Sequence, residues 1–272
     1  MPLKHNLIGD DDINHLTGLG PERFSVKPFG HAISQRTMDA FDTLPLDNYC
    51  GEGRGRAAGG KQRYRKYDDL RFSWDGKMWR CEFQPHRVFL QSPEFNMAVG
   101  GIDRILAPLD IDPEPEVDAI LQSFEFDTAI DWHVKLHQIR VITTEDIAGI
   151  TVTEGPHRDG QDLQIVAVFR RHNIVGGASQ FLPTGGGKVF FEDVVPEGYA
   201  VCNEDAHMWH NATDIFQNDE SEMGYRDIWI MATNRWTHRT YGDEFEESSH
   251  SQGLADWDVI RPDESPQTTS LE

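Results

Sequence analysis

His157 and Asp159 stand two residues apart in Thr153-Glu154-Gly155-Pro156-His157-Arg158-Asp159-Gly160. On a strand such residues share a face, so an imidazole and a carboxylate can converge on one point. A second imidazole would complete a set of two histidines and one carboxylate. That set holds non-haem Fe(II) on one face of an octahedron and leaves the opposite face open. Two candidates lie downstream in Asp205-Ala206-His207-Met208-Trp209-His210-Asn211-Ala212-Thr213. They are three apart, so on a strand they point to opposite faces and only one can join. His210 follows Trp209 inside the expected strand, and His207 lies nearer a turn. His210 is therefore the expected third ligand.

A His-x-Asp pair alone says little about chemistry. Here Pro156 and Gly160 bracket it, as at a strand end beside a cavity, and Arg226 follows on the last strong strand. The open positions of such a metal suit a 2-oxo acid, which chelates through its keto oxygen and the adjacent carboxylate. Its far carboxylate then needs a buried cation, and the planar guanidinium fork meets a carboxylate better than an ammonium does. Arg226 is the candidate. The bland alternative is an ion pair with Asp227 or with the acidic end of the chain. Arg158, between the two ligands, should face away from the metal.

The elements that must position these groups are short and mostly extended. Tyr64, Tyr67, Phe72, Trp74 and Trp79 mark strands in a stretch rich in Lys61, Arg63, Arg65, Lys66, Arg71, Lys77 and Arg80. Those cations are expected to line a carboxylate pocket or to pair with the acidic surface. Further strands are expected over 132–144, 150–153, 162–169, 189–191, 199–203, 209–213 and 225–233, with turns at Thr184–Gly187 and Pro196–Gly198. Helices are expected over 34–41 and 115–124, the second burying Val117, Ile120, Leu121 and Phe124. Many short strands at about ten-residue spacing predict a mainly β fold, a sandwich, barrel or jelly roll with flanking helices.

The 272 residues are expected to form one domain over 1–240, its β core at about 130–235 with the N-terminal part packed around it. An acidic, partly flexible tail over 241–272 follows. A net charge of −21 argues against nucleic acid and anionic membranes as partners. Cys50, Cys81 and Cys202 show no CxxC spacing, so reduced thiols and a cytoplasmic location are expected. No apolar run reaches membrane length.

Several stretches together resemble a family of 2-oxoglutarate- and Fe(II)-dependent dioxygenases that includes free L-amino-acid hydroxylases such as isoleucine dioxygenase. They are Gln91-Ser92 with Asn96, Gly100-Gly101 and Arg104; Glu154 to Gly160; Asn173 to Gly177; Trp209-His210; and Tyr225-Arg226-Asp227. The resemblance implies a double-stranded β-helix, a relative of jelly rolls and cupins. It also implies Fe(II) on His157, Asp159 and His210, Arg226 on the distal carboxylate of 2-oxoglutarate, and dioxygen as oxidant. The implied reaction is oxidation of a C–H bond in a small amino acid, by hydroxylation, ring closure or desaturation, with release of succinate and CO2. Gln91, Asn96, Arg104 and Glu154 are candidates for substrate contact. A cupin-like metalloenzyme without 2-oxoglutarate, or a binding module on the same scaffold, would share the β fold. Oligomeric state is not legible in the sequence.

Overall fold

The computed structural model describes residues 13–50, 60–89, 91 and 104–239. Asn96, the Gly100-Gly101 pair and the acidic tail therefore lie outside the described residues. The strands are β1 (Phe24–Pro28), β2 (Arg63–Trp74), β3 (Trp79–Phe83), β4 (Trp132–Thr143), β5 (Leu163–His172), β6 (Ile174–Gly176), β7 (Ser179–Pro183), β8 (Phe191–Asp193), β9 (Tyr199–Glu204), β10 (Met208–Ala212), β11 (Ile215–Gln217) and β12 (Gly224–Arg235). A 7-stranded sheet has the order β1-β9-β5-β12-β4-β2-β3. A 3-stranded sheet, β10-β7-β8, and a 2-stranded pair, β11-β6, complete the described sheets. Every pairing within them is antiparallel. The fold is mainly β, as expected, and jelly-roll-like.

The period of two along each strand sorts side chains onto two faces. Leu70, Phe72, Val134, Leu136, Ile165, Ala167, Phe169, Trp229 and Met231 form one core with the helical side. There α2 (Glu114–Ser123) contributes Val117, Ile120 and Leu121, and Phe124 closes its end, all fully buried. The shorter α1 (Gln35–Ala40) starts at Ser34, whose hydroxyl accepts from the Thr37 N–H at 3.1 Å. Ile139, Val141, Val168, Val201 and Ile228 form a second core with Phe181, Met208 and Ile215 from the smaller sheets. The large sheet is thus covered by helices on one face and by small sheets on the other. β1, β2 and β3 belong to the large sheet itself, so the N-terminal half supplies strands to the wall that also carries Arg226.

Two strand expectations are corrected. Residues 150–153 form no strand. Gly149 makes an isolated bridge to Ile215, and Thr151 instead donates its hydroxyl to the carbonyls of Ala212 and Thr213 at 3.0 Å each. Pro156 has no N–H, and Gly155 and Gly160 take φ of 78° and 75°, which a regular ladder does not accommodate. The strand expected at 189–191 begins two residues later, at Phe191.

Gly176 ends β6 at φ 79°, and a Cβ there would lie 2.2 Å from the Asp214 carbonyl oxygen. That close approach seats β11 against β6 beside Gly177, which packs near the Arg226 side chain. Gly176→Ala should cost at least ~2 kcal/mol, from left-handed strain plus the clash. Urea unfolding of the two proteins checks it.

Candidate metal and oxo-acid site

His210 sits on β10, and His157 meets it through an isolated bridge. The His157 N–H donates to the His210 carbonyl at 3.1 Å, and the His210 N–H donates back at 2.8 Å. Beyond that bridge the 151–162 segment is irregular. His157 and Asp159 therefore do not converge by sharing a strand face, as their spacing suggested. They converge because a carboxylate folds the backbone.

That carboxylate is Asp205, fully buried on the turn before β10. It accepts from the N–H groups of Asp159 at 3.1 Å, Gly160 at 2.7 Å and Gln161 at 3.2 Å. Its Oδ1 also faces His210 Nδ1 at 3.5 Å. One side chain thus shapes the Asp159 loop and backs the His210 ring.

The ligating atoms of His157, Asp159 and His210 lie within 4.8 Å of one another. His157 Nε2 is 3.3 Å from Asp159 Oδ1, and His210 Nε2 is 3.8 Å from Asp159 Oδ2. His157 Nδ1 lies 2.8 Å from the Gly155 carbonyl. Donating there fixes the tautomer and turns the Nε2 lone pair inward, the usual arrangement behind a metal-bound imidazole. Burial disfavours a charged His157, but the hydrogen bond to Asp159 and that residue's charge outweigh it and raise its pKa to about 9. Asp159 is held well below the usual carboxylate range: burial opposes ionisation, and His157 overcomes it. A cation placed among the three must displace that proton. His207 turns away, 3.4 Å from Glu204. Arg158 also leaves the site, donating to the Ala206 carbonyl at 3.3 Å.

Asp205→Ala should weaken Fe(II) binding about 10- to 100-fold, the usual effect of losing a group that orients a ligand. It should also lower stability, because buried N–H groups lose their acceptor. Metal titration beside thermal melting checks both.

Arg226 projects from β12 into the same cavity. It is 2% exposed, and its Nε and Nη2 are buried without a hydrogen-bond partner among the described residues. Burial, with Arg171 adjacent, lowers its pKa to about 9. Asp227, the partner the bland alternative assigned to it, points to the other face and takes a bidentate pair from Arg140 at 2.6 and 2.8 Å. A buried guanidinium that faces a cavity with donors to spare fits an incoming carboxylate.

Gln91, Arg104 and Glu154 line the cavity as well. Gln91 is a bridge: its Nε2 donates to Asp159 Oδ1 at 2.8 Å, and its Oε1 accepts from Arg104 Nη2 at 2.6 Å. Glu154 is lowered to about 2, with burial opposing and His157 and Arg63 prevailing. The basic stretch divides between its two expected roles. Arg63 and Arg65 line the cavity, while Lys66, Arg71 and Arg80 pair with Asp110, Asp131 and Asp75. Sequence reasoning missed Asp205, and also Lys135, His137 and Asn203 on the cavity wall. Alternation along β4 was the available signal for Lys135 and His137. Asp205 had none, because its partners are set by a turn.

The 2OG-Fe dioxygenase family pattern matches residues 38–232, and the chain belongs to that family. Membership makes it an oxidoreductase by class and implies Fe(II), 2-oxoglutarate and O2. Among solved structures, a bsmA homolog from Methylobium petroleophilum PM1 has 20% identity and a TM-score of 0.63, covering 79% of this chain and 90% of that one. The structure named IDO from Bacillus thuringiensis has 12% identity and a TM-score of 0.56, covering 79% and 91%. At these identities the likeness is one of fold. No curated protein matches the sequence. No helix among the described residues is long and apolar enough to cross a membrane.

Proposed function

We propose that His157, Asp159 and His210 hold Fe(II), that Arg226 grips the far carboxylate of 2-oxoglutarate, and that the protein oxidises a C–H bond of a small substrate, a free L-amino acid first among candidates. The products would be a hydroxylated, cyclised or desaturated compound with succinate and CO2. The observation that carries this reading is Arg226: a buried cation with idle donors, in the same cavity as the three ligating side chains. When bound, Fe(II) and 2-oxoglutarate supply the oxidising power, by decarboxylation of the oxo acid in the presence of dioxygen.

The chain's own part is placement. Gly155 and Asp205 aim the two imidazoles. Gln91 ties Asp159 to Arg104, so the metal side and the substrate side share one hydrogen-bonded line. Ile139, Val141, Val201, Ile228 and Ile230 give the cavity an apolar floor that sheds water and strengthens each charged contact within it. Gln91, Arg104, Glu154 and Asn96 are the proposed substrate contacts. The free thiols of Cys50, Cys81 and Cys202 suit a reducing compartment such as the cytoplasm.

Reconstitution with Fe(II) and 2-oxoglutarate, then aerobic assay of amino acids for succinate, tests the reading. The expected result is substrate-stimulated succinate release, with product mass raised by one oxygen or lowered by two hydrogens. Turnover of an amino acid without succinate would overturn the cosubstrate, and no metal or 2-oxoglutarate binding at all would leave a binding module.

A further inference from the structure

Arg226 is not the sole buried guanidinium with idle donors in this cavity. Arg65 on β2 is 5% exposed, and Arg104, bridged to Phe89, is 2% exposed. Arg65 Nη2 and Arg104 Nε are both buried without a hydrogen-bond partner among the described residues. Arg65 Nε lies 3.1 Å from Asp47 Oδ2, but that carboxylate is shared with Arg63, whose Nε donates to it at 2.7 Å. Arg104 rests on the Phe89 ring at 4.4 Å, and Arg65 reaches the same ring at 5.7 Å. His137, stacked on Tyr67 and edge-on to Phe89, keeps its Nδ1 buried and unpartnered beside them. Through Gln91 this cluster is one side chain removed from Asp159. Arg65, Arg104 and His137 line the cavity at the metal, apart from Arg226 on β12.

The local charge does not cancel. Arg63, Arg65, Arg104, Lys135 and Arg226 line the cavity. On the β2 side Arg63, Arg65 and Arg104 face two carboxylates, Glu154 in the lining and Asp47 behind Arg63 and Arg65. Lys135 answers to Asp69, Arg226 to the incoming oxo acid, and the metal side carries Asp159 with Asp205 behind His210. Among the described residues one positive charge is therefore left over on the β2 side. A neutral zwitterion leaves it uncompensated, and buried uncompensated charge is costly. The carboxylate suited to meet an ammonium, Glu154, already faces Arg63 and His157.

We propose that Arg65 and Arg104 form a second anion cradle that grips a carboxylate of the primary substrate, and that the preferred substrate carries one net negative charge. An acidic amino acid meets that requirement, and so does an amino acid acylated on nitrogen. This rests on the functional reading above and narrows it.

The test uses the full chain loaded anaerobically with Fe(II) and 2-oxoglutarate. The visible charge-transfer band of the chelate reports cosubstrate binding, and its perturbation reports the substrate. L-glutamate is compared with L-glutamine, L-aspartate with L-asparagine, and N-acetyl-L-leucine with N-acetyl-L-leucinamide. At least one acid should bind at least tenfold more tightly than its uncharged partner. Arg65→Met should erase that preference while the 2-oxoglutarate dependence of the band stays put. Arg65→Lys, which keeps the charge and loses the fork, should retain part of it and serves if the methionine variant does not fold. Three results overturn the cradle: no acid preferred over its partner, an uncharged member preferred, or a preference that survives Arg65→Met or, where only the lysine variant folds, is undiminished in Arg65→Lys. If the band never forms, the functional reading fails instead. Melting-temperature shifts with the same pairs of compounds then still decide the cradle.

Discussion

Asp159→Ala should abolish Fe(II) retention and bring 2-oxoglutarate turnover below detection, while the protein remains folded. The two effects separate because the Asp159 side chain and backbone do different work. The carboxylate faces His157 at 3.3 Å and His210 at 3.8 Å and accepts from Gln91. The backbone N–H is held by Asp205 whichever side chain is present. Alanine therefore removes the only anionic ligand of the set but not the loop that carries it. The two remaining imidazoles are a poor site for a hard divalent ion in competition with water. Loss of Asp159 also removes the charge that keeps His157 protonated, so the His157 pKa should fall towards its ordinary value. Metal content after gel filtration, far-ultraviolet circular dichroism and succinate release check the outcome. Full activity in this variant would remove the triad from its role.

Arg226→Met should produce opposite changes in function and stability. For the cosubstrate, losing one partner of a buried, hydrogen-bonded charge pair costs roughly 2–5 kcal/mol, a rise of about 30- to 5,000-fold in the 2-oxoglutarate concentration required. For the ligand-free protein the substitution is favourable. The guanidinium is buried, lacks partners on Nε and Nη2, and lies beside Arg171. Methionine fills similar volume without that burden, so the ligand-free fold should gain about 0.5–2 kcal/mol, the range common to single stabilising substitutions. Urea unfolding without ligands and 2-oxoglutarate titration of turnover give the two readings. A variant that is destabilised and unaltered in its 2-oxoglutarate requirement would make Arg226 structural.

That His210 and Arg226 would meet His157 and Asp159 in one cavity was legible because each breaks a local pattern. His210 interrupts an extended stretch at the position that faces inward, and Arg226 is a charge on a strand face that continues as Ile228, Ile230 and Ala232. The jelly-roll-like fold was legible from the spacing of strands and turns, and α2 from the positions of Val117, Ile120, Leu121 and Phe124. The route by which His157 meets Asp159 was not. Spacing alone suggested a strand, whereas Asp205 folds the segment from more than forty residues away. The cations of β2 were half legible. Their alternation marks Arg63 and Arg65 as sharing a face, but which face looks on the cavity depends on pairing with β4, set by residues far along the chain. The same pairing buries Lys135 and His137, which as isolated letters look like surface residues.

The register of the large sheet has a metric consequence. Arg226 lies opposite Val141 of β4 on one side, and Arg65 lies opposite Ile139 of β4 on the other. The two arginines are thus two strands apart laterally and offset by two residues along the strand. With about 4.8 Å between strands and about 3.4 Å per residue, their backbone anchors stand roughly 12 Å apart. That span is held by a continuous hydrogen-bonded ladder and does not drift with the sequence of any loop. If both arginines hold carboxylates, the sheet acts as a caliper. It sets how far the reactive carbon can lie from the acid group that anchors the molecule, so regioselectivity becomes a matter of chain length measured from one fixed jaw.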